Sequence, residues 1–356
     1  MQIRRIALQQ FRNIAATQLD LHGRLQFLVG PNGQGKTNLL EATGLITALR
    51  SFRSAETRHL IAHGKTEAAL ACTLEHEVEG ETELTIKLRP GAKEAWLEAT
   101  KLTRLADLIG RFPTVVFSSQ DQQLLRGSPG GRRRWLDLTL AAMDAVYLKA
   151  LQGYHRALAE RNALLKSDAS DAQLAAFEQV LAQHGEVLIR SREVGLDALA
   201  ISLTSAYSKI ADNAEPAGFA YAPDIATDAA GLVAKFVKNR GRDRMTRTTN
   251  SGPHRDDFDF TLHGRAAKDF ASEGQQRALL LSLRLAQATW FRDRSGVQPV
   301  LLADDVLGEL DPVRRTRFWA AVPETAQVIA TGTEAPNGDL GEWQVFRVEG
   351  GNFSTA

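Results

Sequence analysis

The sequence has 356 residues, 44% hydrophobic and 24% charged, a composition typical of a folded protein of about two domains. Its formal net charge of +1 excludes binding to nucleic acid through overall charge, so such a role would need local basic clusters. One cysteine excludes an intramolecular disulfide and a cysteine-based zinc site, and the lack of long apolar runs leads us to expect a cytoplasmic protein with neither a signal peptide nor a membrane span.

The first third of the chain predicts mainly β-structure. Residues 1 to about 30 contain three strand-like segments, "IRRIALQQF", "ATQLDL" and "RLQFLV". Residues 68–104 alternate apolar and polar positions between glycine and proline turns, which predicts antiparallel hairpins, and residues 114–117 predict another buried strand. Cys72 lies in one of these hairpins, where we expect a small core residue rather than a reactive thiol.

The segment "GPNGQGKT" lies between a predicted strand and a predicted helix, which is the context of a phosphate-binding loop. Its glycines allow a tight turn whose N–H groups approach phosphate oxygens, and the helix that follows adds a positive dipole end. Lys36 would contact the β- and γ-phosphates, and the Thr37 hydroxyl can ligate Mg²⁺. A chance match is the alternative, but the strand and helix on either side argue against it. The predicted nucleotide site comprises Gly30, Pro31, Asn32, Gly33, Gln34, Gly35, Lys36 and Thr37.

The middle of the chain predicts long helices, and α/β character returns after residue 250. Residues 133–212 are rich in alanine and leucine and free of proline, with a break at "KSDASDAQ", which predicts an inserted helical hairpin. Later segments predict a helix at "ASEGQQRALLLSLRLAQATWF" and strands at "PVLLADDV" and "TAQVIATG". We expect the terminal "EGGNFSTA" to fray.

Two further features indicate phosphate chemistry. The strand "VLLADD" ends in Asp304 and Asp305, where P-loop ATPases place a carboxylate that organises Mg²⁺; the alternative is a pair of solvated acids at a strand end. The turn "SEGQQR" precedes a helix and predicts a second anion-binding site. One ATP needs only one such site on its own subunit, so the second site implies phosphates presented by another chain. The alternative there is an ordinary N-cap by Ser272 with Glu273 in the first turn.

These motifs together resemble the head of ABC-type ATPases and, more narrowly, the RecF family of bacterial recombination-repair proteins. The resembling stretches, in the order of the family, are "FRN" (11–13), "GPNGQGKTNLLEA" (30–42), "RSFR" (50–53), "GSPGGRRRWLD" (127–137), "GPHRDD" (252–257), "SEGQQRALLLSLRLAQ" (272–287) and "DDVLGELD" (304–311). The resemblance implies an α/β, ABC-type P-loop ATPase head, with a mixed sheet, an antiparallel β subdomain and an inserted α-helical arm. We expect the N-terminal half of the head at 1–130, the arm at 131–215 and the C-terminal half of the head at 216–356.

The resemblance also implies roles for single residues. Residues 30–37 would bind ATP, and Lys36 would take part in catalysis. Gln120 would also take part in catalysis, by sensing Mg²⁺ and water. Asp304 would help to hold Mg²⁺, and Asp305 would position the hydrolytic water. Ser272, Gly274 and Gln275 would contact the γ-phosphate bound to a second subunit, and Asp311 would lie at the dimer seam. Thr331 stands where transporter-type ABC ATPases carry a switch histidine. Glu273 replaces the glycine of the transporter signature and Asp305 replaces the more common glutamate, so slow hydrolysis is expected.

The function implied by the resemblance is an ATP-dependent homodimer that binds DNA near single-strand/double-strand junctions. It would work in recombinational repair and replication restart with the RecO and RecR proteins, promote loading of the RecA recombinase, and be associated with the nucleoid. Candidate DNA contacts are the basic segment "KFVKNRGRDRMTR" (235–247), "RRR" (132–134) and Arg50 with Arg53, for each of which a solvated face or internal salt bridges is the alternative. Arg255 could serve ATP instead, and His254 is expected to be structural rather than a metal ligand.

Three other classes of protein fit less well. A transporter subunit would carry the switch histidine and the usual signature and would have no arm of about 80 residues. A chromosome-structure protein would need long coiled coils or a cysteine hook. The presence of the "SEGQ" turn would be unexplained in a small-molecule kinase.

Overall fold

The computed structural model describes residues 1–54, 56–167, 169–211, 215–306, 311–336 and 341–355. The chain forms two compact units: unit 1 comprises Met1–Asp121, Ser205–Ala214 and Arg277–Ala356, and unit 2 comprises Gln122–Thr204 and Glu215–Gln276. The strands are β1 (Gln2–Phe11), β2 (Ile14–Asp20), β3 (Leu25–Val29), β4 (Ala68–His76), β5 (Gly80–Arg89), β6 (Ala92–Leu97), β7 (Thr100–Lys101), β8 (Thr114–Ser118), β9 (Ala217–Ala222), β10 (Asp257–Leu262), β11 (Arg265–Ala266), β12 (Val300–Asp304), β13 (Val328–Gly332), β14 (Gln344–Glu349) and β15 (Asn352–Thr355). The α-helices are α1 (Lys36–Ala48), α2 (Gln122–Arg126), α3 (Pro129–Ala141), α4 (Ala145–Lys166), α5 (Asp171–Ala211), α6 (Ala229–Thr246), α7 (Ala267–Phe270), α8 (Glu273–Ser295) and α9 (Pro312–Ala321).

One sheet of unit 1 is mainly parallel and has the strand order β15-β14-β3-β13-β12-β8. Its neighbouring strands are parallel except for the β14–β15 hairpin. β3, β12 and β13 are buried along almost their whole length, as expected for parallel strands covered on both faces. Parallel strands end at the same edge of a sheet, so the residues that follow β3, β8, β12 and β13 meet there.

The second sheet of unit 1 is antiparallel, with the order β2-β1-β4-β5-β6-β7. Its strands alternate buried and more exposed residues, and the buried face packs on a core that also contains Leu39 and Leu45 of α1. This confirms the hairpins predicted over 68–104. Cys72 of β4 is fully buried, and burial raises the pKa of its thiol to about 12, so it is an inert core residue as expected.

Unit 2 contains the predicted helices, but the first of them is divided. α3 ends at Ala141 and α4 begins at Ala145, because the Asp144 carboxylate accepts hydrogen bonds from Val146 N (2.8 Å) and Tyr147 N (3.0 Å) and so caps a new helix. The break before α5 lies where the sequence predicts it. Helix α5 then continues without interruption to Ala211.

A small sheet with the order β11-β10-β9 belongs to the same unit as these helices. Phe219 of β9 and Phe258 of β10 lie 6.4 and 5.9 Å from Trp135 of α3, measured between ring centroids. This packing joins 215–276 to the helices rather than to the rest of the expected C-terminal half of the head. One division between the compact units, at 214/215, lies next to the predicted boundary at 215, whereas the units place 216–276 with the helices; the predicted domain boundaries stay a prediction.

The C-terminal segment is ordered structure up to Thr355. β15 pairs antiparallel with β14, from Glu349 opposite Asn352 to Phe346 opposite Thr355. The expectation that this segment frays was wrong, because the turn at Gly350 and Gly351 folds it back onto the parallel sheet. Among the helices that the structure describes, none has the length and apolar character needed to cross a membrane.

Candidate nucleotide site

The phosphate-binding loop connects the end of β3 to the start of α1 and depends on its glycines. Gly33 and Gly35 have φ angles of 80° and 116°, a region that favours glycine. A Cβ on Gly30 would lie 2.3 Å from the carbonyl oxygen of Val348. Lys36 is buried, and its Nζ donates to the carbonyl oxygens of Gly30 (2.5 Å) and Pro31 (2.9 Å). Burial lowers the pKa of Lys36, while Asp305 and Asp304 act in the opposite direction.

Thr37, Asp304 and Thr331 meet at the edge of the parallel sheet. Thr37 Oγ1 donates to Asp304 Oδ1 over 2.7 Å, and Thr331 Oγ1 donates to the same oxygen over 3.2 Å. Burial raises the pKa of Asp304, and the hydrogen bonds from Thr37 and Thr331 oppose that rise. Thr331 reaches Asp304 because β13 pairs in parallel with β12. The sequence shows only that position 331 lacks the switch histidine of transporter-type ATPases, and it does not predict this contact.

This donor set fits Mg²⁺ bound together with a nucleotide. A hydroxyl and a single carboxylate are hard oxygen ligands, and Mg²⁺ in such sites takes its remaining ligands from phosphates and water. Within the described ranges there is no group of three or more His, Cys, Asp or Glu side chains that could hold a metal by protein ligands alone.

Asp305 differs from Asp304 in exposure and in backbone conformation. Its φ angle is 57°, unusual for a residue other than glycine, and its N–H donates to Thr331 Oγ1 over 3.0 Å. Asp304 is half-buried, whereas Asp305 is exposed. The two neighbouring carboxylates therefore have different surroundings, while the different roles that the family resemblance implies for them stay a prediction.

Glu41 of α1 is the buried centre of an ion-pair network that the sequence does not reveal. Its carboxylate is fully buried and accepts from Arg12 Nε (2.5 Å), Arg12 Nη2 (2.8 Å) and Arg53 Nη1 (3.3 Å), and also from the Ser51 hydroxyl. Arg12 belongs to "FRN", and Ser51 and Arg53 belong to "RSFR". These two motifs hold the helix that follows the phosphate-binding loop, so Arg53 has an internal partner rather than the free guanidinium expected of a DNA contact.

The β14–β15 turn holds the phosphate-binding loop through Gln34. Gly350 N–H donates to Gln34 Oε1 over 2.7 Å, and Gly351 N–H donates to the Gln34 carbonyl over 2.8 Å. Asn13 Nδ2 donates to the same carbonyl over 3.2 Å. A Cβ on Gly351 would lie 2.4 Å from the Asn13 carbonyl oxygen, so this close approach requires glycine.

Gln120 lies just beyond the end of β8, which runs beside β12 with Ser118 opposite Asp304. Its side chain is exposed, and its N–H donates to Ser118 Oγ over 3.3 Å. The Asp121 carboxylate accepts from Ser118 N–H over 3.2 Å and from Arg284 Nε over 2.9 Å. Asp121 and Arg284 are thus supporting residues that sequence reasoning missed.

The "SEGQ" turn lies in unit 2 and has the hydrogen bonding of a helix N-cap. Ser272 N–H donates to Gln275 Oε1 over 2.9 Å, and Gln275 N–H donates to Ser272 Oγ over 3.3 Å, a reciprocal capping box. Gln275 Nε2 also donates to Glu215 Oε2 over 3.3 Å. Ser272 is exposed and Gly274 half-buried. The ordinary N-cap is therefore present, and contact with a second subunit's phosphate stays a prediction.

The arginines of "RRR" have mainly internal partners. Arg132 is buried and forms two hydrogen bonds to the Asp257 carboxylate, at 2.8 and 2.7 Å. Arg133 Nη1 donates to the Asp256 carbonyl over 2.6 Å. For these two residues the structure favours internal pairing over DNA contact.

The basic segment 235–247 covers the last two thirds of α6 and ends with Arg247, the C-cap of that helix. Some of its basic side chains have internal partners and others are exposed. Arg240 and Arg244 pair with Glu178 and Asp171 of α5, at 2.6 and 2.7 Å. Lys238 and Arg242 are exposed, one turn apart on the helix. Only part of the segment thus remains a candidate for phosphate contact.

The loop "GPHRDD" is held in place by α4 and α5. Arg192 Nη1 donates to the Pro253 carbonyl (2.6 Å) and to Asp256 (2.8 Å). His254 Nδ1 lies 2.8 Å from the Tyr154 hydroxyl and its Nε2 lies 3.0 Å from the Thr249 carbonyl, so both ring nitrogens have partners and the residue is structural, as expected. Arg255, in contrast, is exposed.

Part of "GELD" falls outside the described residues, which omit 307–310. Asp311 is described and caps α9, because its carboxylate accepts from Arg314 N–H over 3.0 Å. Its predicted place at a dimer seam stays a prediction.

The chain is similar to known proteins along nearly its whole length. A family model described as "RecF/RecN/SMC N terminal domain" matches residues 2–337. The DNA replication and repair protein RecF of Crocosphaera subtropica is 34% identical over 379 residues, covering 99% of this chain and all (100%) of that protein. The protein of the same description from Geobacter metallireducens is 35% identical over 342 residues, covering 94% of this chain and 93% of its own length.

Solved structures agree with these relatives. A structure described as the recombination mediator protein RecF-ATP in the RecFOR pathway has a TM-score of 0.90 at 26% identity, covering 99% of this chain and 97% of that one. An Smc head bound to the C-winged helix domain of ScpA has a TM-score of 0.55 at 13% identity, covering 98% of this chain and 94% of that one, and so shares the fold alone. With a family model over most of its length and full-length relatives above 30% identity, this chain, with its ABC-type ATPase head, belongs to the RecF family.

Proposed function

We propose that this chain is an ATP-dependent DNA-binding protein of recombinational repair and replication restart, and that it acts as a slow, DNA-dependent ATPase switch. The observation that carries the proposal is the 2.7 Å hydrogen bond between the Thr37 hydroxyl and the Asp304 carboxylate beside the phosphate-binding loop. It brings together the two side chains that ATP and Mg²⁺ chemistry requires, from segments far apart in the sequence.

The roles of the residues follow from their surroundings. Residues 30–37 would bind the phosphates, and Lys36 would exchange its loop carbonyl partners for phosphate oxygens. Thr37 and Asp304 would hold Mg²⁺, which neutralises charge that develops on the phosphates. Asp305, which is exposed and has an unusual backbone conformation, would orient the attacking water. Gln120 would take part because it follows β8, the strand that lies beside β12 in the sheet. An aspartate reaches less far than a glutamate, which supports slow turnover.

The switch would be an ATP-dependent homodimer. Ser272, Gly274 and Gln275 would contact the γ-phosphate bound by a second copy, and Asp311 would lie near the seam. Because the triphosphate would bind the closed dimer better than the monomer, ATP would favour closure by mass action and hydrolysis would reverse it. Exposed Ser272 at the N-terminus of α8 supports this role, since the positive end of a helix dipole favours anions.

The partners would be those of the recombination pathway in which the compared RecF structure is placed. We propose that the closed dimer binds DNA at gaps or single-strand/double-strand junctions and works with RecR and RecO to load RecA. The cell compartment would be the cytoplasm, at the nucleoid. Lys238 and Arg242, which are exposed on α6, are the best supported phosphate contacts in the basic segment.

Light scattering with a slowly hydrolysed ATP analogue tests the dimer. We expect Ser272→Asp to bind the analogue as well as the unchanged protein yet to remain monomeric, because the carboxylate keeps the helix cap but repels the γ-phosphate. Ser272→Asn keeps the cap without the charge and serves as the matched control, which should still dimerise. Normal dimerisation of Ser272→Asp would exclude the role in a second subunit.

A separate measurement tests hydrolysis. Asp305→Asn should bind ATP, lose most ATP turnover with or without gapped DNA, and accumulate the dimer. Turnover equal to that of the unchanged protein would assign the water-orienting role to another group.

A further inference from the structure

The "SEGQ" turn, proposed above to contact a second copy's γ-phosphate, carries a carboxylate that would repel that phosphate. Glu273 is the first residue of α8, directly after Ser272, and its side chain is 75% exposed. In the monomer this charge is favourable, because a negative side chain in the first turn complements the positive end of the helix dipole. A phosphate that approached the same end would meet a like charge. The turn therefore needs a cation that offsets Glu273 if it is to bind a phosphate.

Arg126, the last residue of α2, is a cation that the structure places against Glu273. Its Nη2 lies 3.5 Å from Glu273 Oε1, and its Nε donates to Gln276 Oε1 over 2.9 Å. Glu273 and Gln276 are three residues apart and therefore lie on one side of α8. The guanidinium of Arg126 thus lies along this side of the first turn, beside the Glu273 carboxylate.

Gln276 holds the Arg126 side chain in this position. Gln276 is buried, at 7% exposure, and its Nε2 donates to the carbonyl oxygens of Ala271 over 3.0 Å and Ala267 over 3.4 Å. Because the amide nitrogen uses its protons in this way, the amide oxygen is left to accept from Arg126. Ala271 immediately precedes Ser272, so one buried amide fixes both the arginine and the backbone that enters the turn.

A second arginine fixes the end of α2, from which Arg126 projects. Arg132 of "GSPGGRRRWLD" is buried, and its Nη1 donates over 2.9 Å to the carbonyl of Gly127, the residue that follows Arg126. Its other nitrogens form the two hydrogen bonds to Asp257 of "GPHRDD". A continuous set of contacts therefore leads from Asp257 through Arg132 and Arg126 to Glu273, and all of these residues belong to unit 2.

The gain in stability from an exposed ion pair does not explain this arrangement. Arg89, which is 52% exposed, pairs with the carboxylates of Glu67 and Glu94, and pairs of that kind contribute little to stability. The Arg126 side chain is 49% exposed, so its pair with Glu273 is expected to contribute as little. Its guanidinium is nevertheless held by a buried amide beside a helix N-terminus. This position indicates that the charge of Arg126 acts on that N-terminus.

We infer that Arg126 is a positioning residue for the γ-phosphate that a second copy presents, and that it acts by offsetting the charge of Glu273 at the N-terminus of α8. The inference rests on the proposed ATP-dependent dimer. A two-fold dimer would contain two such sites, so a loss of about threefold at each site multiplies to about tenfold in the affinity of the dimer. Because the contribution is electrostatic, it should shrink as salt is added.

A double-mutant cycle on the full chain tests the inference. The affinity of the dimer is measured by sedimentation over a concentration series with a slowly hydrolysed ATP analogue. We expect Arg126→Gln to weaken the dimer about tenfold and Glu273→Gln, which removes the repulsion, to tighten it several-fold. In the Glu273→Gln background, Arg126→Gln should weaken the dimer less than about twofold, because the charge that Arg126 offsets is gone. Arg89→Gln is the matched control and should dimerise like the unchanged protein.

Thermal unfolding establishes which variants fold, and if Arg126→Gln does not, Glu273→Gln alone decides. Glu273 is exposed, so a tighter dimer supports the inference and an unchanged or weaker dimer overturns it. The inference is also overturned if Arg126→Gln dimerises as well as Arg89→Gln, or if it loses the same affinity with and without Glu273→Gln. Failure of the unchanged protein to dimerise with the analogue would instead refute the proposed dimer, and the inference with it.

Discussion

Glu41→Gln tests whether the motifs "FRN" and "RSFR" stabilise the helix of the phosphate-binding loop. The substitution keeps the volume of a fully buried side chain but removes its charge. Arg12 and Arg53 then face an amide in place of a carboxylate, and the amide N–H₂ group points donors at donors. The arginine side chains are 22% and 31% exposed, so solvent offsets part of the loss.

The size of the effect follows from the contacts. Breaking a buried ion pair costs about 3–5 kcal/mol, and hydrogen bonds to charged groups contribute about 1.5–3 kcal/mol each. Since water reaches both arginines, we place the loss near the lower end, at about 3 kcal/mol. A change of this size in α1 should also weaken ATP binding several-fold, because α1 begins at Lys36.

Urea unfolding and ATP titration measure the two effects side by side. Glu67→Gln is the matched control, because Glu67 also pairs with an arginine, Arg89, but both side chains are about half exposed, at 53% and 52%. Exposed pairs of this kind contribute little, so the control should unfold like the unchanged protein. If Glu41→Gln were as stable as the control, the network would be incidental and the two motifs would need another explanation.

The other predictions concern three separate places. Arg161→Met should destabilise unit 2 by about 3 kcal/mol in urea unfolding, because it leaves the buried carboxylate of Asp243 without its arginine while Glu178 keeps only Arg240, and adding Asp243→Asn should recover part of the loss. Burial lowers the pKa of His254 to about 4 from 6.5, so the unfolded chain takes up a proton first as the pH falls from 6.5 to 4. Stability should therefore drop by up to about 3 kcal/mol across that range, and a His254→Gln variant should lose this pH dependence. Gly351→Ala should weaken ATP binding several-fold, because its Cβ would meet the Asn13 carbonyl at 2.4 Å, whereas Gly350→Ala has open space and should bind ATP more nearly as the unchanged protein does.

Local patterns predicted the strands, the loop and the helix around the candidate nucleotide site, whereas contacts between distant residues could not be predicted. The loop at 30–37 and the strand that ends in Asp304 are each encoded within a few residues, so their type and position were predicted correctly. Glu41 could not be identified, because its partners come from 29 and 12 residues away along the chain. The start of α4 could have been predicted from Asp144, since an aspartate before a helical stretch is a common N-cap. The long apolar pattern on both sides of Asp144 hid this start, so one long helix was predicted.

The arginines of these motifs share one structural role, which is to pair with buried or half-buried carboxylates. Arg12 and Arg53 pair with Glu41, Arg132 pairs with Asp257, and Arg192 pairs with Asp256. Each of these carboxylates is at least half-buried, so the arginines hold loops and helices in place and are not available to bind phosphate. Other cations are exposed, among them Lys238, Arg242 and Arg255, so a DNA contact would have to use such residues rather than the paired arginines. Two copies joined by ATP-dependent closure would present these exposed cations to one DNA together, which would raise the affinity for DNA above that of a single copy.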